Sequence, residues 1–163
     1  VGEQRPHFLI VCDHGIRGDH GHCDHSTGCK EVDRVALLPW FPDRGWWAAE
    51  GIDQAAIGIW PMEGDKPDKP GWNPKWIENP YPAPGDDDPR RFHIEISCPQ
   101  KRCRTWAHRG DDDKLQTLLT KIADDETFRA AVTMFADDKL IVIKLEALRL
   151  AKKYAKTRYG LQV

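Results

Sequence analysis

Five cysteines in two groups, Cys12/Cys23/Cys29 and Cys98/Cys103, constrain this chain more than any other feature. The count is odd, each group adjoins a short apolar run, and the first is interleaved with His14, His20, His22 and His25. In a reducing compartment a disulfide framework explains that pattern poorly. Metal ligation explains it directly, because thiolates and imidazoles are the ligands of tetrahedral Zn²⁺. A shell drawn from both groups would tie two distant parts of the chain together.

Both groups follow sequence that reads as strand. Pro6-His-Phe-Leu-Ile-Val-Cys12 is short, apolar and β-branched toward its end, the composition of a buried strand. Arg91-Phe-His-Ile-Glu-Ile-Ser-Cys98 alternates, with Phe92, Ile94 and Ile96 on one face and His93, Glu95 and Ser97 on the other. The chain then enters Cys98-Pro-Gln-Lys-Arg-Cys103, a turn that offers two thiolates whose sulfurs accept backbone N–H bonds. Cys12, Cys98 and Cys103 are the expected members of a structural zinc site, with His14, Cys23 and Cys29 competing to complete it. His20, His22, Cys23, His25 and Cys29 could instead form a second, local site. His93 and His108 are expected to pack or hydrogen-bond near the first.

The 163 residues suit one structural domain. Val35 to Phe41 and Gln54 to Trp60 read as further strands, bounded by Pro39, Pro42, Gly51 and Pro61. From residue 61 to 89 the chain holds eight prolines together with Trp72, Trp76 and Tyr81, a long irregular insertion too aromatic for plain disorder. After Asp111-Asp112-Asp113 the period turns helical, with Leu115, Leu118, Leu119 and Ile122 on one face. Asp125 is placed to cap a second helix burying Phe128, Ala131, Val132 and Phe135. Asp138 could cap a third carrying Ile141, Leu145, Leu148, Ala151 and Ala155; alternatively Leu140 to Ile143 is a short strand before a helix from Leu145 to Thr157. The expected fold is α+β: a small antiparallel zinc-ribbon-like sheet built on the strands ending at Cys12 and Cys98, with the Pro/Trp-rich insertion. Residues 1–110 form this β-rich region, and 111–163 a C-terminal helical portion packed on it.

The run Phe92-His-Ile-Glu-Ile-Ser-Cys98-Pro99 with Cys103, followed by Lys114-Leu-Gln-Thr-Leu-Leu119, resembles small uncharacterised zinc-ribbon-like proteins encoded by actinobacterial phages. It covers about a fifth of the chain, and the knuckle has four intervening residues where the usual pattern has two. The resemblance implies a phage accessory protein acting on a host or phage macromolecule in a bacterial cytoplasm.

Charge narrows the partners. Residues 139–163 hold five Lys, two Arg and one Glu, a balance of +6, so with the chain at −2 the first 138 residues carry −8. A non-enzymatic zinc-stabilised regulatory module is the first functional expectation, binding a protein partner through Trp72, Trp76 and Tyr81. The alternative is DNA binding, with Lys144, Arg149, Lys152, Lys153, Lys156 and Arg158 on the last of three helices in a helix-turn-helix-like unit. Arg90, Lys101, Arg102, Arg104 and Arg109 offer a second basic patch. Asp13, His14, Asp19, His20, His22, Asp24 and His25 have the chemistry of a metal-dependent nuclease or phosphoesterase, but thiolate-closed shells leave no open coordination position. No zincin, deaminase, Walker or nucleophile-elbow motif is present. Without a long apolar run or a leader-like N-terminus, a cytoplasmic protein with no membrane partner is expected.

Overall fold

The structure is a computed structural model, and it describes residues 3–12, 33–43, 45–48, 50–51, 57–61, 92–98 and 106–163. Its fold class is α+β. The apolar run before Cys12 forms β1 (His7–Cys12), with Phe8, Ile10 and Cys12 turned into the core at no more than 1% exposure. A strand this apolar belongs in the middle of a sheet. It pairs antiparallel with β2 (Asp33–Leu38) on one side and parallel with β10 (Leu140–Lys144) on the other, in the register His7 to Leu140 through Val11 to Lys144.

The chain around Trp40 folds into a short hairpin, β3 (Trp40–Phe41) and β4 (Trp46–Trp47), turning at Gly45 with φ +76°, where a side chain would be strained. Trp47 is buried with its centroid 4.6 Å from Trp40 and 5.3 Å from Phe8, and its indole N–H donates to Pro6 O at 2.9 Å. Arg5 lies over both tryptophans and pairs with Asp124 at 3.0 Å. Trp40 and Trp47 are thus core residues and Trp46 is half-buried. Next comes β5 (Glu50–Gly51), which pairs with β2 at the edge of the first sheet.

A second sheet joins β6 (Ile57–Pro61), β7 (Phe92–Ser97) and β8 (Trp106–Asp111), all antiparallel. Ile94 and Ile96 are fully buried, while His93, Glu95 and Ser97 on the opposite face are half-buried, as the alternation requires. One expectation is corrected here. Strands β1 and β7 do not pair; they belong to different sheets, because the apolar β10 takes the free edge of β1 while β6 and β8 take both edges of β7.

Asp111 ends β8 and caps α1 (Asp112–Asp124), its carboxylate accepting from Asp113 N–H at 3.0 Å. Leu115, Leu118, Leu119 and Ile122 form the buried face as expected. Asp125 caps α2 (Glu126–Val132) through Phe128 N–H at 2.9 Å. That helix is shorter than its sequence period suggests: Phe128 is buried, but Ala131 is exposed and Phe135 lies in β9 (Phe135–Ala136). Asp137 makes the turn that ends it, accepting from Lys139 and Leu140 N–H at 2.8 and 2.7 Å, so β9 and β10 form a hairpin. Asp138 therefore caps no helix, and the β-branched Leu140 to Ile143 run takes the strand alternative.

Helix α3 (Leu145–Tyr159) follows directly, burying Leu145, Leu148, Ala151 and Ala155. The two alanines let its axis approach β8, the strand it packs against most heavily, and it also touches β1 and β10. Buried residues from Phe8 to Val163 form one apolar cluster.

Candidate functional site

Helix period decides which charges of α3 meet. At about 100° per residue, Arg149, Lys152 and Lys156 recur at i, i+3 and i+7 and share one stripe along the margin of the buried face. Strand β8 meets that margin. Trp106 is half-buried at its start, with Arg149 Cζ 4.1 Å and Arg109 Cζ 5.2 Å from the ring centroid. Lys114, in the first turn of α1, reaches the same face from a third segment, close enough for its charge to act on Lys152.

Lys152 is half-buried, and its ammonium is held below the usual lysine range, first by burial and then by the like charges of Lys156 and Lys114. Among the described residues, no carboxylate lies within ion-pair distance of Arg109, Lys114, Arg149, Lys152 or Lys156; the ion pairs found there involve Arg5, His93 and Lys121. The stripe is therefore a concentration of positive charge without ion pairs among the described residues.

His108 stands behind it, fully buried and paired in register with Ile96. Its Nε2 faces the Asp111 carbonyl at 3.3 Å, and Nδ1 has no hydrogen-bond partner among the described residues. Burial, with Lys152 as the second cause, pushes the imidazole down to about 4, so the ring is neutral at neutral pH and adds no charge to the face. Next to it, Gly110 has φ +152°, a conformation a side chain would rarely adopt, and it turns the chain from β8 into the Asp111 cap. Asp112 is buried in the first turn of α1, and burial pushes its carboxyl up to about 7 against the opposing hydrogen bond from Gln116.

The sequence-predicted residues separate into groups. Arg149, Lys152 and Lys156 converge with Arg109. Lys153 is exposed and lines the α2–α3 groove with Leu150, Tyr154 and Thr157. Arg158 leans over Tyr154 at 5.8 Å, and Lys144 sits at the N-cap of α3 opposite Val11. The helix-turn-helix expectation is corrected, because the element preceding α3 is strand β10, not a helix. Trp106 and Lys114 were not singled out by sequence reasoning; Trp106 three residues before Arg109 was the available signal.

Of the proposed metal ligands, Cys12 and Cys98 are buried at the ends of β1 and β7, each 1% exposed. His14, Cys23, Cys29 and Cys103 lie outside the described residues, as do the partner-binding candidates Trp72, Trp76 and Tyr81. Among the described residues no three His, Cys, Asp or Glu side chains gather as a metal site. No helix among them is long and apolar enough to cross a membrane.

Comparison with protein-family models, with curated proteins and with solved structures found no match for this chain.

Proposed function

We propose that this protein is a non-enzymatic binding module whose β8–α3 face engages the phosphates of nucleic acid. The observation that carries the reading is the convergence of Arg109, Lys114, Arg149, Lys152 and Lys156 from three chain segments, none of them in an ion pair among the described residues. Folding brings like charges together at a cost in stability, and a polyanion is the ligand that reverses that cost. Zn²⁺ belongs to the same proposal in a structural role: Cys12 and Cys98 would supply thiolates from two different sheets, and such a tie would hold β7 and its partner β8 against the sheet that carries β10 and leads into α3. The resemblance to phage zinc-ribbon-like proteins agrees with an accessory protein of this kind.

A protein partner is the second reading. The observation favouring it is a groove of about 380 Å³ between α2 and α3, lined by Ala131, Val132, Leu150, Lys153, Tyr154 and Thr157.

The discriminating experiment is anisotropy of a fluorescent duplex titrated with the protein at several salt concentrations. Five phosphate contacts predict a slope of log K against log[salt] of about −4.5, at about −0.9 per contact. Absence of binding at about 50 mM salt would refute the nucleic-acid reading.

A further inference from the structure

We infer that Trp106 is a positioning residue that holds Arg109 and Arg149 as a guanidinium clamp for the phosphodiester backbone, so that the face reads nucleic acid by its phosphates and not by its bases. The inference rests on the nucleic-acid reading above and specifies how that same face works.

A half-buried tryptophan beside a basic helix would ordinarily suggest a base-stacking platform, since any base can lie on an indole face. Here the ring is already engaged. Arg149 Cζ is 4.1 Å from the centroid, the distance a stacked base would need, and Arg109 Cζ is 5.2 Å away. The strand that carries the indole is well anchored: Trp106 pairs with Ser97 across β7–β8, and the next two residues, Ala107 and His108, are fully buried.

An arginine stacked on an aromatic ring keeps the edge of its fork open, because stacking uses the π-face and hydrogen bonding uses the N–H groups in the plane. Free arginine side chains sample many rotamers; two that share one anchored ring are ordered before any ligand arrives. Among the described residues neither guanidinium has a carboxylate within ion-pair distance, although Glu95 is paired in register with Arg109 across β7–β8, which leaves their N–H groups available for bidentate phosphate. Lys152 and Lys156 continue the charge along α3 by about two further turns. The stripe borders the surface that α3 buries against β8, and its charges are shared with β8 and α1, so they are not carried on the outer face of one helix as in a major-groove reader. A face built this way is expected to contact the backbone, which carries no sequence information.

The test uses the full chain and three fluorescent probes: an A·T-only duplex, a G·C-rich duplex of equal length, and a polythymidine single strand. The two duplexes are expected to bind within about threefold of one another. Arg149→Gln should reduce the salt slope by about 0.9. Trp106→Leu should reduce the slope as well although it removes no charge, a change that loss of packing alone would not produce. Trp106→Phe, which keeps an aromatic face, should restore it, and Arg158→Ala, on the other edge of α3, should leave it unchanged. The Arg149 variant keeps the test open if Trp106→Leu does not fold. A duplex preference beyond about tenfold, or a Trp106→Leu effect confined to the single strand with the slope intact, overturns the clamp while leaving nucleic-acid binding standing. No binding of any probe by the unmodified chain overturns both.

Discussion

Replacing Lys152 by methionine should make the protein more stable and a weaker binder, and the two effects should come from the same removed charge. The ammonium faces Lys156 one turn along α3 and Lys114 on α1, and its pKa is lowered by burial and by those two charges. Like-charge pairs at i, i+4 on a helix destabilise by about 0.2–0.5 kcal/mol. Counting the Lys114 pair as similar gives about 0.4–1 kcal/mol, which solvent screening reduces to about 0.3–0.8 kcal/mol. Methionine retains most of the aliphatic stem that packs at the helix margin, so little burial is lost. For a chain of this size the gain corresponds to a Tm rise of about 1–3 °C.

Thermal unfolding followed by circular dichroism, without phosphate, measures it. The gain should shrink in about 1 M salt, where the Debye length falls to about 3 Å. It should also shrink at alkaline pH. The folded pKa lies below 10.5, so the unfolded chain binds more protons in the window between the two values, and wild-type stability rises with pH across it. The variant lacks that rise. In the anisotropy assay the salt slope should fall by about 0.9. A lower Tm at low salt would refute the reasoning, since it would mean that the Lys152 charge is compensated in the native state.

Gln116→Ala should destabilise by about 2 kcal/mol in urea unfolding, because the side chain satisfies both the N–H (3.0 Å) and the C=O (2.8 Å) of Trp47 and so clips the β3–β4 hairpin to α1. Asp112→Asn should flatten part of the pH dependence: with the carboxyl raised from 3.8 to about 7, its favourable contribution is complete below 3.8 and is lost as pH rises through 7, so the variant should be the more stable protein at pH about 8. His108→Leu should flatten the acid side, since an imidazole lowered from 6.5 to about 4 favours the folded state above 6.5 and ceases to do so as pH falls through 4. Native mass spectrometry should find one zinc, and chelation or Cys98→Ser should lower Tm; a metal-free chain with the unfolding profile of the native one would remove the structural-zinc proposal.

What the sequence made legible was local. The period-2 run at Phe92–Ser97, the helical face Leu115/Leu118/Leu119/Ile122 and the Asp125 cap need only neighbours within a few residues, and each is found. Strand β8 is not legible because Trp106-Ala-His-Arg-Gly-Asp111 shows no apolar alternation, and the strand runs through Gly110 to the cap itself. The start of the third helix stood between two readings because Ile141 happens to fall in phase with Leu145 and Leu148, so a helical period and a strand-helix junction look alike there; the structure takes the junction. The partners of β1 were out of reach for another reason. Pairing His7 with Leu140 closes a loop of most of the chain, and no local pattern encodes which of several apolar strands wins that edge.

The same distinction explains why half of the basic face was visible and half was not. Arg149, Lys152 and Lys156 share a stripe by helix period alone, so their grouping could be read from spacing. Their alignment with Trp106, Arg109 and Lys114 exists only when α3 lies across β8 and α1 starts from the end of that strand. In the unfolded chain the group at Arg109 and Lys114 is separated by a long stretch from the group at Arg149, Lys152 and Lys156, and the two repel little. Folding concentrates them, which places the cost of the site in the native state and makes binding, wherever it occurs, a source of stability as well. A peptide carrying α3 alone would keep three of the five charges but neither the anchored indole nor Lys114. The face is thus a property of the fold and not of the basic segment.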